Sequence, residues 1–265
     1  HFKKVDAAQH GIDLPLKGSL VQFFEPFRYG SGIASGDINR DGWPDLAFAT
    51  DKGIYMFENM GNRQFSQKIM PFPTHPDFTN YLSLVVSFVD INNDGWLDIF
   101  VSNYGTANYF LLSERGTFSA EHFILDIDDK RVVTLAAGFA DKDRDGDLDV
   151  YLGNWSVGVE QSFNPLYSMN NWLINQDQYT FQKEAVNEIK GETLSIILSD
   201  YDSNHTTDLI VSNDYDQPDL FFVGNDKGEM TQILADSGII PASSFYTMSI
   251  DIADFNNDLI FDIFS

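Results

Sequence analysis

Short apolar runs alternate with acidic, Asn-rich bends along the whole chain, and the alternation is periodic. Five runs precede a bend: Gly32-Ile33-Ala34-Ser35-Gly36, Val85-Val86-Ser87-Phe88-Val89, Ala136-Ala137-Gly138-Phe139-Ala140, Ser195-Ile196-Ile197-Leu198-Ser199 and Ser249-Ile250-Asp251-Ile252-Ala253. Each bend is followed by a second run, such as Ile99-Phe100-Val101-Ser102 or Leu209-Ile210-Val211-Ser212. A third run follows in four of the units (Tyr55-Met56-Phe57, Tyr109-Phe110-Leu111-Leu112, Trp172-Leu173-Ile174, Leu220-Phe221-Phe222-Val223), and a turn then leads to a fourth strand at Phe65, Phe118, Phe181 and Met230. Runs this short and this rich in Val, Ile and Phe predict strands. Many are apolar on consecutive residues, the pattern of a sheet covered on both faces.

Four strands per repeat predict an all-β fold of four-stranded blades stacked face to face, a β-propeller. A solenoid is the alternative, although its repeats are usually shorter. The blade motifs start near residues 32, 85, 136, 195 and 249, so about five blades are expected. Phe2-Lys3-Lys4-Val5 fits the fourth-strand pattern, and the last repeat stops in its second strand at Ser265. The expectation is a single propeller domain over 1–265 that is part of a larger, seven- or eight-bladed ring. Closure as five blades, with residues 1–15 supplying an outer strand, is the other reading.

The bends carry the chemistry. They share the spacing Asp-x-Asp/Asn-x-Asp/Asn-Gly-x-x-Asp and recur at intervals of 51 to 59 residues. Oxygen-bearing side chains fall at positions 1, 3, 5 and 9: Asp37, Asn39, Asp41 and Asp45; Asp90, Asn92, Asp94 and Asp98; Asp141, Asp143, Asp145 and Asp149; Asp200, Asp202, Asn204 and Asp208; Asp254, Asn256, Asp258 and Asp262. Position 7 would add a main-chain carbonyl, from Trp43, Trp96, Asp147, Thr206 or Ile260. Alternate residues of a tight loop can point inward together, and a Gly at position 6 permits the sharp turn. Six or more oxygens around a glycine bend is the logic of a hard-cation site. An EF-hand would end in Glu at position 12 between helices, whereas here Asp closes the loop at position 9 between strands. Calcium is expected, three to five ions. Magnesium favours octahedral, hydrated sites, and zinc favours His or Cys. In the last two loops His205 and Leu259 replace the glycine, which demands strained or altered backbone there.

Composition narrows the partners. The chain has 16 Lys+Arg against 40 Asp+Glu, a net charge of −24, which argues against nucleic acid. With 43% hydrophobic and 14% aromatic residues it can fill a core. No run approaches the roughly 20 apolar residues of a transmembrane helix. The absence of cysteine excludes disulfides and thiolate sites. The five His residues are scattered, and no phosphate-cradling glycine loop or nucleophile elbow occurs. Two segments exceed what a blade needs. The 154–171 connection holds Trp155, Phe163 and Tyr167, candidates for contact with a ligand, with packing as the alternative. The proline-rich Pro71–Phe78 reads as a stiff connector. Asn154-Trp155-Ser156 and Asn204-His205-Thr206 match the glycosylation sequon.

These loops in this blade context resemble the FG-GAP/VCBS repeats of integrin α-subunit propellers and bacterial surface proteins. The run from Phe2 to Ile12 and the stretch Ile252–Asp258 resemble the cartilage-acidic-protein-like (ASPIC/UnbV-associated) branch. The resemblance implies a calcium-stabilised propeller, extracellular, on the cell surface or periplasmic, that serves adhesion or ligand binding. It carries over metal ligands and no catalytic residue. The expected function is therefore a non-catalytic scaffold for a protein or glycan partner, possessing further blades or domains in a longer chain. A polysaccharide lyase or hydrolase on a calcium-rich propeller is the alternative.

Overall fold

The computed structural model of the protein describes residues 4–14, 32–73, 82–124, 132–155, 169–177, 180–190, 192–214, 217–234, 237 and 243–265. The chain divides into two compact units, 1–131 and 132–265.

The first unit holds two antiparallel sheets whose strands pair in chain order. One comprises β1 (Ile33–Gly36), β2 (Asp45–Thr50), β3 (Gly53–Asn59) and β4 (Phe65–Lys68); the other comprises β5 (Ser83–Val89), β6 (Asp98–Asn103), β7 (Tyr109–Glu114) and β8 (Thr117–Ile124). They pack through Ala47, Met56, Val86, Ile99, Val101 and Tyr109. The Gly32 N–H donates to the Leu84 carbonyl at 2.9 Å, joining the sheets at one end.

The second unit repeats the design. β9 (Thr134–Ala140), β10 (Asp149–Asn154), β11 (Met169–Asn175) and β12 (Phe181–Lys190) form one sheet; β13 (Thr193–Ser199), β14 (Asp208–Asn213), β15 (Leu220–Val223) and β16 (Thr231–Ile233) form the next; β17 (Asp251–Ala253) and β18 (Asp262–Phe264) form a two-stranded ribbon. Tyr151, Trp172, Val211 and Phe222 fill the first interface. Ile210, Phe221 and Ile250 fill the second. These are β-propeller blades, four with four strands and a fifth represented by two. Every residue of β6, β10 and β14 is buried, as consecutive apolar positions require when both faces of a sheet are covered.

A chain of buried hydrogen bonds crosses the second unit at the end of the sheets remote from the acidic loops. The Thr134 hydroxyl donates to Asn154 Oδ1 at 2.8 Å, and the Asn154 N–H donates to Asn170 Oδ1 at 2.7 Å. Asn170 Nδ2 donates to Thr193 Oγ1, which donates to Asn213 Oδ1, both at 2.8 Å. The Asn213 N–H donates to Asp219 Oδ1 at 2.9 Å, and the Thr247 hydroxyl donates to Asp219 Oδ2 at 2.7 Å. The polar residues at the strand ends are thus the joints between successive blades.

Two expectations change. Lys4-Val5 is not a strand: Asp6 Oδ1 accepts from the Ala8 N–H at 3.1 Å, caps a 3-10 turn over Ala7–His10, and Gly11 ends it with φ 88°. Trp155 is 2% exposed and bridges to Glu192, so it belongs to the core, not to a ligand-contacting surface. Phe163 and Tyr167 lie outside the described residues, as does 74–78 of the proline-rich connector.

Candidate metal centre

All five acidic loops take one backbone form. Positions 4 and 6 are both left-handed, with φ between 55° and 64° at Arg40, Asn93, Arg144, Ser203 and Asn257. Position 6 is left-handed in Gly42, Gly95 and Gly146, and equally in His205 (φ 69°) and Leu259 (φ 68°). The non-glycine loops thus keep the bend and carry the strain a Cβ imposes there. Position 4 gave no signal in the sequence, because no glycine marks it.

The turn is wound by its own side chains. The position-1 carboxylate accepts the position-6 N–H in every loop: Gly42 to Asp37 at 2.9 Å, Gly95 to Asp90 at 2.8 Å, Gly146 to Asp141 at 3.1 Å, His205 to Asp200 at 3.0 Å and Leu259 to Asp254 at 3.0 Å. The position-5 side chain accepts the N–H of position 7, from Trp43, Trp96, Asp147, Thr206 and Ile260, at 2.8–2.9 Å.

Position 9 does a further job. Asp45, Asp98, Asp149 and Asp208 are fully buried and open β2, β6, β10 and β14. One oxygen accepts the position-2 N–H, for instance Ile91 to Asp98 at 3.1 Å and Lys142 to Asp149 at 2.9 Å. The other accepts an N–H at the end of the third strand, Ser113 to Asp98 at 2.7 Å and Asn175 to Asp149 at 2.8 Å. Burial pushes the Asp98 carboxyl up to about 7 and that of Asp149 up to about 6, against the lowering effect of those N–H donors and with help from neighbouring aspartates. Burial also raises Asp45 and Asp208, and burial followed by the charges of Asp145 and Asp141 raises Asp143.

The loops divide at position 3. Where it is Asn, the position-5 N–H reaches position 1 as well: Asp41 to Asp37 at 3.0 Å, Asp94 to Asp90 at 3.1 Å and Asp258 to Asp254 at 3.0 Å. The Asn amide then donates into the loop, Asn39 to Asp41 at 3.2 Å, Asn92 to Asp94 at 3.4 Å and Asn256 to Asp262 at 3.4 Å. The position-5 N–H also donates to the Asn at position 3, at 2.9–3.1 Å, whereas where position 3 is Asp it keeps only that partner, Asp145 to Asp143 at 3.3 Å and Asn204 to Asp202 at 3.0 Å. Asp141 Oδ1 and Asp200 Oδ1 are then buried with no hydrogen-bond partner. In these two loops one oxygen each from Asp141, Asp143 and Asp149, and from Asp200, Asp202 and Asp208, lie within 4.8 Å of one another. A cluster of three carboxylates that includes a buried, unpartnered oxygen is costly in protons and water alone, and an all-oxygen set fits a hard divalent cation. The residues present therefore fit calcium, with the 141–149 and 200–208 loops as the sets that most need a cation.

Of the sequons, Asn154 is fully buried and gives its amide to the Met169 carbonyl at 2.7 Å, so the folded chain does not offer it for modification. Among the described residues no helix is long and apolar enough to cross a membrane.

Comparison with known proteins supports the repeat and the fold. The FG-GAP-like repeat family matches residues 37–101 and 90–152, so the chain carries FG-GAP-like repeats there. No curated protein matches the sequence. Among solved structures, the chain is similar to an Agrocybe aegerita lectin that recognises non-reducing terminal N-acetylglucosamine, at 15% identity and a TM-score of 0.55 over 89% of this chain and 60% of the lectin. A second is the Bacillus licheniformis rhamnogalacturonan lyase PL11, at 11% identity and a TM-score of 0.43 over 89% of this chain and 57% of the lyase. The chain thus spans under two thirds of these structures.

Proposed function

We propose that the protein is a calcium-stabilised, non-catalytic propeller that works as a binding scaffold for a protein or glycan outside the cytoplasm, on the cell surface or in the periplasm. The observation that carries this reading is that Asp141 and Asp200 each have a buried, unpartnered oxygen and each belong to a cluster of three carboxylates with oxygens within 4.8 Å of one another. In this reading Asp141, Asp143, Asp145 and Asp149, with the Asp147 carbonyl, hold one ion. Asp200, Asp202, Asn204 and Asp208, with the Thr206 carbonyl, hold another. The Asn-bearing loops at 37, 90 and 254 bind the same cation more weakly, because their amides already answer part of the carboxylate charge. Calcium supplies charge compensation and ties the first two strands of each blade together, with no part in bond making. Loops of this kind in extracellular modules bind at ~10⁻⁴ to 10⁻³ M, which suits a compartment with millimolar calcium. The lectin similarity supports a glycan among the candidate ligands at the level of fold alone.

Calorimetric calcium titration together with thermal melts in chelator tests the reading. Binding of two tighter and up to three weaker ions, with a melting temperature that falls on chelation, is the expected result. Asp143→Asn should remove one of the tighter sites. An unchanged melt in excess chelator, with no heat of calcium binding, would sink it.

A further inference from the structure

Trp43 and Trp96 occupy the same position, the seventh, in the first two acidic loops, yet their surroundings differ. The ring of Trp96 is covered by the Arg40 guanidinium, 4.5 Å from the ring centroid. Trp43 is 52% exposed and forms a wall of a cavity of about 590 Å³ between the 5–12 segment and the outer edge of the first sheet. The volume falls in the range of small-molecule sites. The indole is backed, because a Cβ at Gly61 would lie 3.4 Å from its Cε2 and Nε1 atoms. It is a supported platform that lines the cavity.

Three residues with polar side chains line the cavity, Arg63, His10 and Asn59. Arg63 lines it and makes no ion pair among the described residues. His10 lines it too, with Nδ1 held 2.7 Å from the Arg63 carbonyl, which fixes the ring and leaves Nε2 for a ligand. Asn59 is already used at both ends, giving Nδ2 to the Pro44 carbonyl at 3.0 Å and accepting the Gly61 N–H at 3.1 Å. Among the described residues no carboxylate lines the cavity, in a chain with a net charge of −24. The rest of the wall is apolar, with Phe65 and Ile12 among it. An arginine with no ion pair among the described residues, in one cavity with a half-exposed indole, suits a ligand with one apolar face and an anionic edge.

We propose that this cavity binds a carboxylated sugar residue, a uronate, with its apolar face on Trp43 and its carboxylate on Arg63. The assignment rests on the glycan side of the scaffold reading and names the sugar class.

Titration of the full chain with methyl β-D-glucuronide, methyl β-D-glucoside and hexanoate, followed by indole fluorescence and calorimetry, tests it. Trp155 and Trp172 are buried and Trp96 is half-buried under Arg40, so the part of the spectral change lost in Trp43→Ala reports the exposed indole. The glucuronide is expected to bind at least about tenfold more tightly than the glucoside, and Arg63→Gln to erase that preference. Trp43→Ala should abolish the spectral change and weaken binding by about tenfold, and Trp43→Phe should retain part of the affinity. Equal affinity for the two glycosides, no binding of the glucuronide, or full affinity in variants that melt like the parent would overturn the site. Hexanoate binding as tightly as the glucuronide would overturn it in favour of an apolar anion. The chelator melt is read separately: an intact calcium response without glucuronide binding removes this cavity and leaves the calcium scaffold standing. A glycan captured equally by the Trp43→Ala variant keeps the scaffold's glycan reading and moves the site elsewhere.

Discussion

Asp219 stands where the preceding sheet of the same unit has Asn170. Both accept the N–H of the Asn that ends the second strand, Asn213 at 2.9 Å and Asn154 at 2.7 Å, and both meet a threonine of the following repeat, Thr247 ahead of β17 and Thr193 at the start of β13. The difference is charge. Asp219 is 4% exposed, and burial raises its carboxyl above the ordinary value, more than the Asn213 N–H and the Thr247 hydroxyl lower it. The folded form therefore holds its proton more tightly than the unfolded one. Stability from this group is complete below the ordinary aspartate value near 3.8 and declines as the pH rises through the folded value. An Asn here can keep the Asn213 bond on Oδ1 and give Nδ2 to Thr247, as Asn170 gives its own to Thr193. Asp219→Asn is expected to raise the melting midpoint by about 2–4 °C at pH 7.5, roughly 1 kcal/mol for a chain this long, and to leave it unchanged at about pH 3, below the ordinary aspartate value. Paired melts of the two proteins across that range would show it, and parallel curves would refute the charge argument.

Successive blades meet at a second recurring joint, built from a bare backbone. Gly228, in the turn after β15, has φ 74°, and a Cβ there would lie 3.0 Å from Asp143 Cα and from the Lys142 carbonyl. Gly116, in the turn between β7 and β8, has φ 81° and would bring a Cβ 3.0 Å from the Ile38 carbonyl and 3.1 Å from Asn39 Cα. In both units the turn of one blade thus lies on positions 2 and 3 of the acidic loop of the preceding blade. Gly146, at φ 100°, has nothing within 4 Å of such a Cβ. Gly146→Ala should therefore cost only the left-handed penalty, about 1–2 kcal/mol. Gly228→Ala carries the same penalty plus displacement of backbone, and is expected to cost about 1 kcal/mol more by urea unfolding and to weaken calcium binding to the 141–149 loop. Equal losses would mean that the turn does not bear on the loop. The acidic loops, the strands that begin at position 9 and the four-strand repeat were all legible in the sequence, because spacing and apolar runs report local geometry. The blade joints were not. Gly116 and Gly228 resemble ordinary turn glycines until a neighbouring blade is brought against them, and Asn154, Asn170 and Thr193 resemble ordinary strand-end polar residues until pairing brings them together. Trp155 misled for a related reason: a Trp beside a long connection reads as exposed unless the bridge to Glu192 is known. Position 9 was read as a ligand alone, whereas its two backbone bonds also tie the loop to the third strand.

Across the whole chain, 40 acids against 16 bases leave a net charge of −24, and the densest acid lies in the five loops. Self-repulsion of that size opposes compaction, and two remedies differ in range. Simple salt acts at a distance: the Debye length falls from about 14 Å near 0.05 M to about 4 Å near 0.5 M, which screens charges on separate loops but not carboxylates within 4.8 Å of one another. A bound divalent ion acts inside the loop. Five calcium ions would bring the net charge to about −14 and remove the short-range repulsion that salt leaves in place. The chelated protein should therefore gain stability steadily with sodium chloride between those concentrations, without reaching the calcium-loaded midpoint. The loaded protein should respond to the same salt much less, because its strongest repulsions are already neutralised. Melts at several salt concentrations, with chelator and with millimolar calcium, separate the two contributions. If high salt brought the chelated protein up to the loaded midpoint, the loops would be holding diffuse charge in place of a coordinated ion. A gap that survives at the highest salt measures the inner, ligated part, and its loss on combining Asp143→Asn with Asp202→Asn would assign that part to the 141–149 and 200–208 loops.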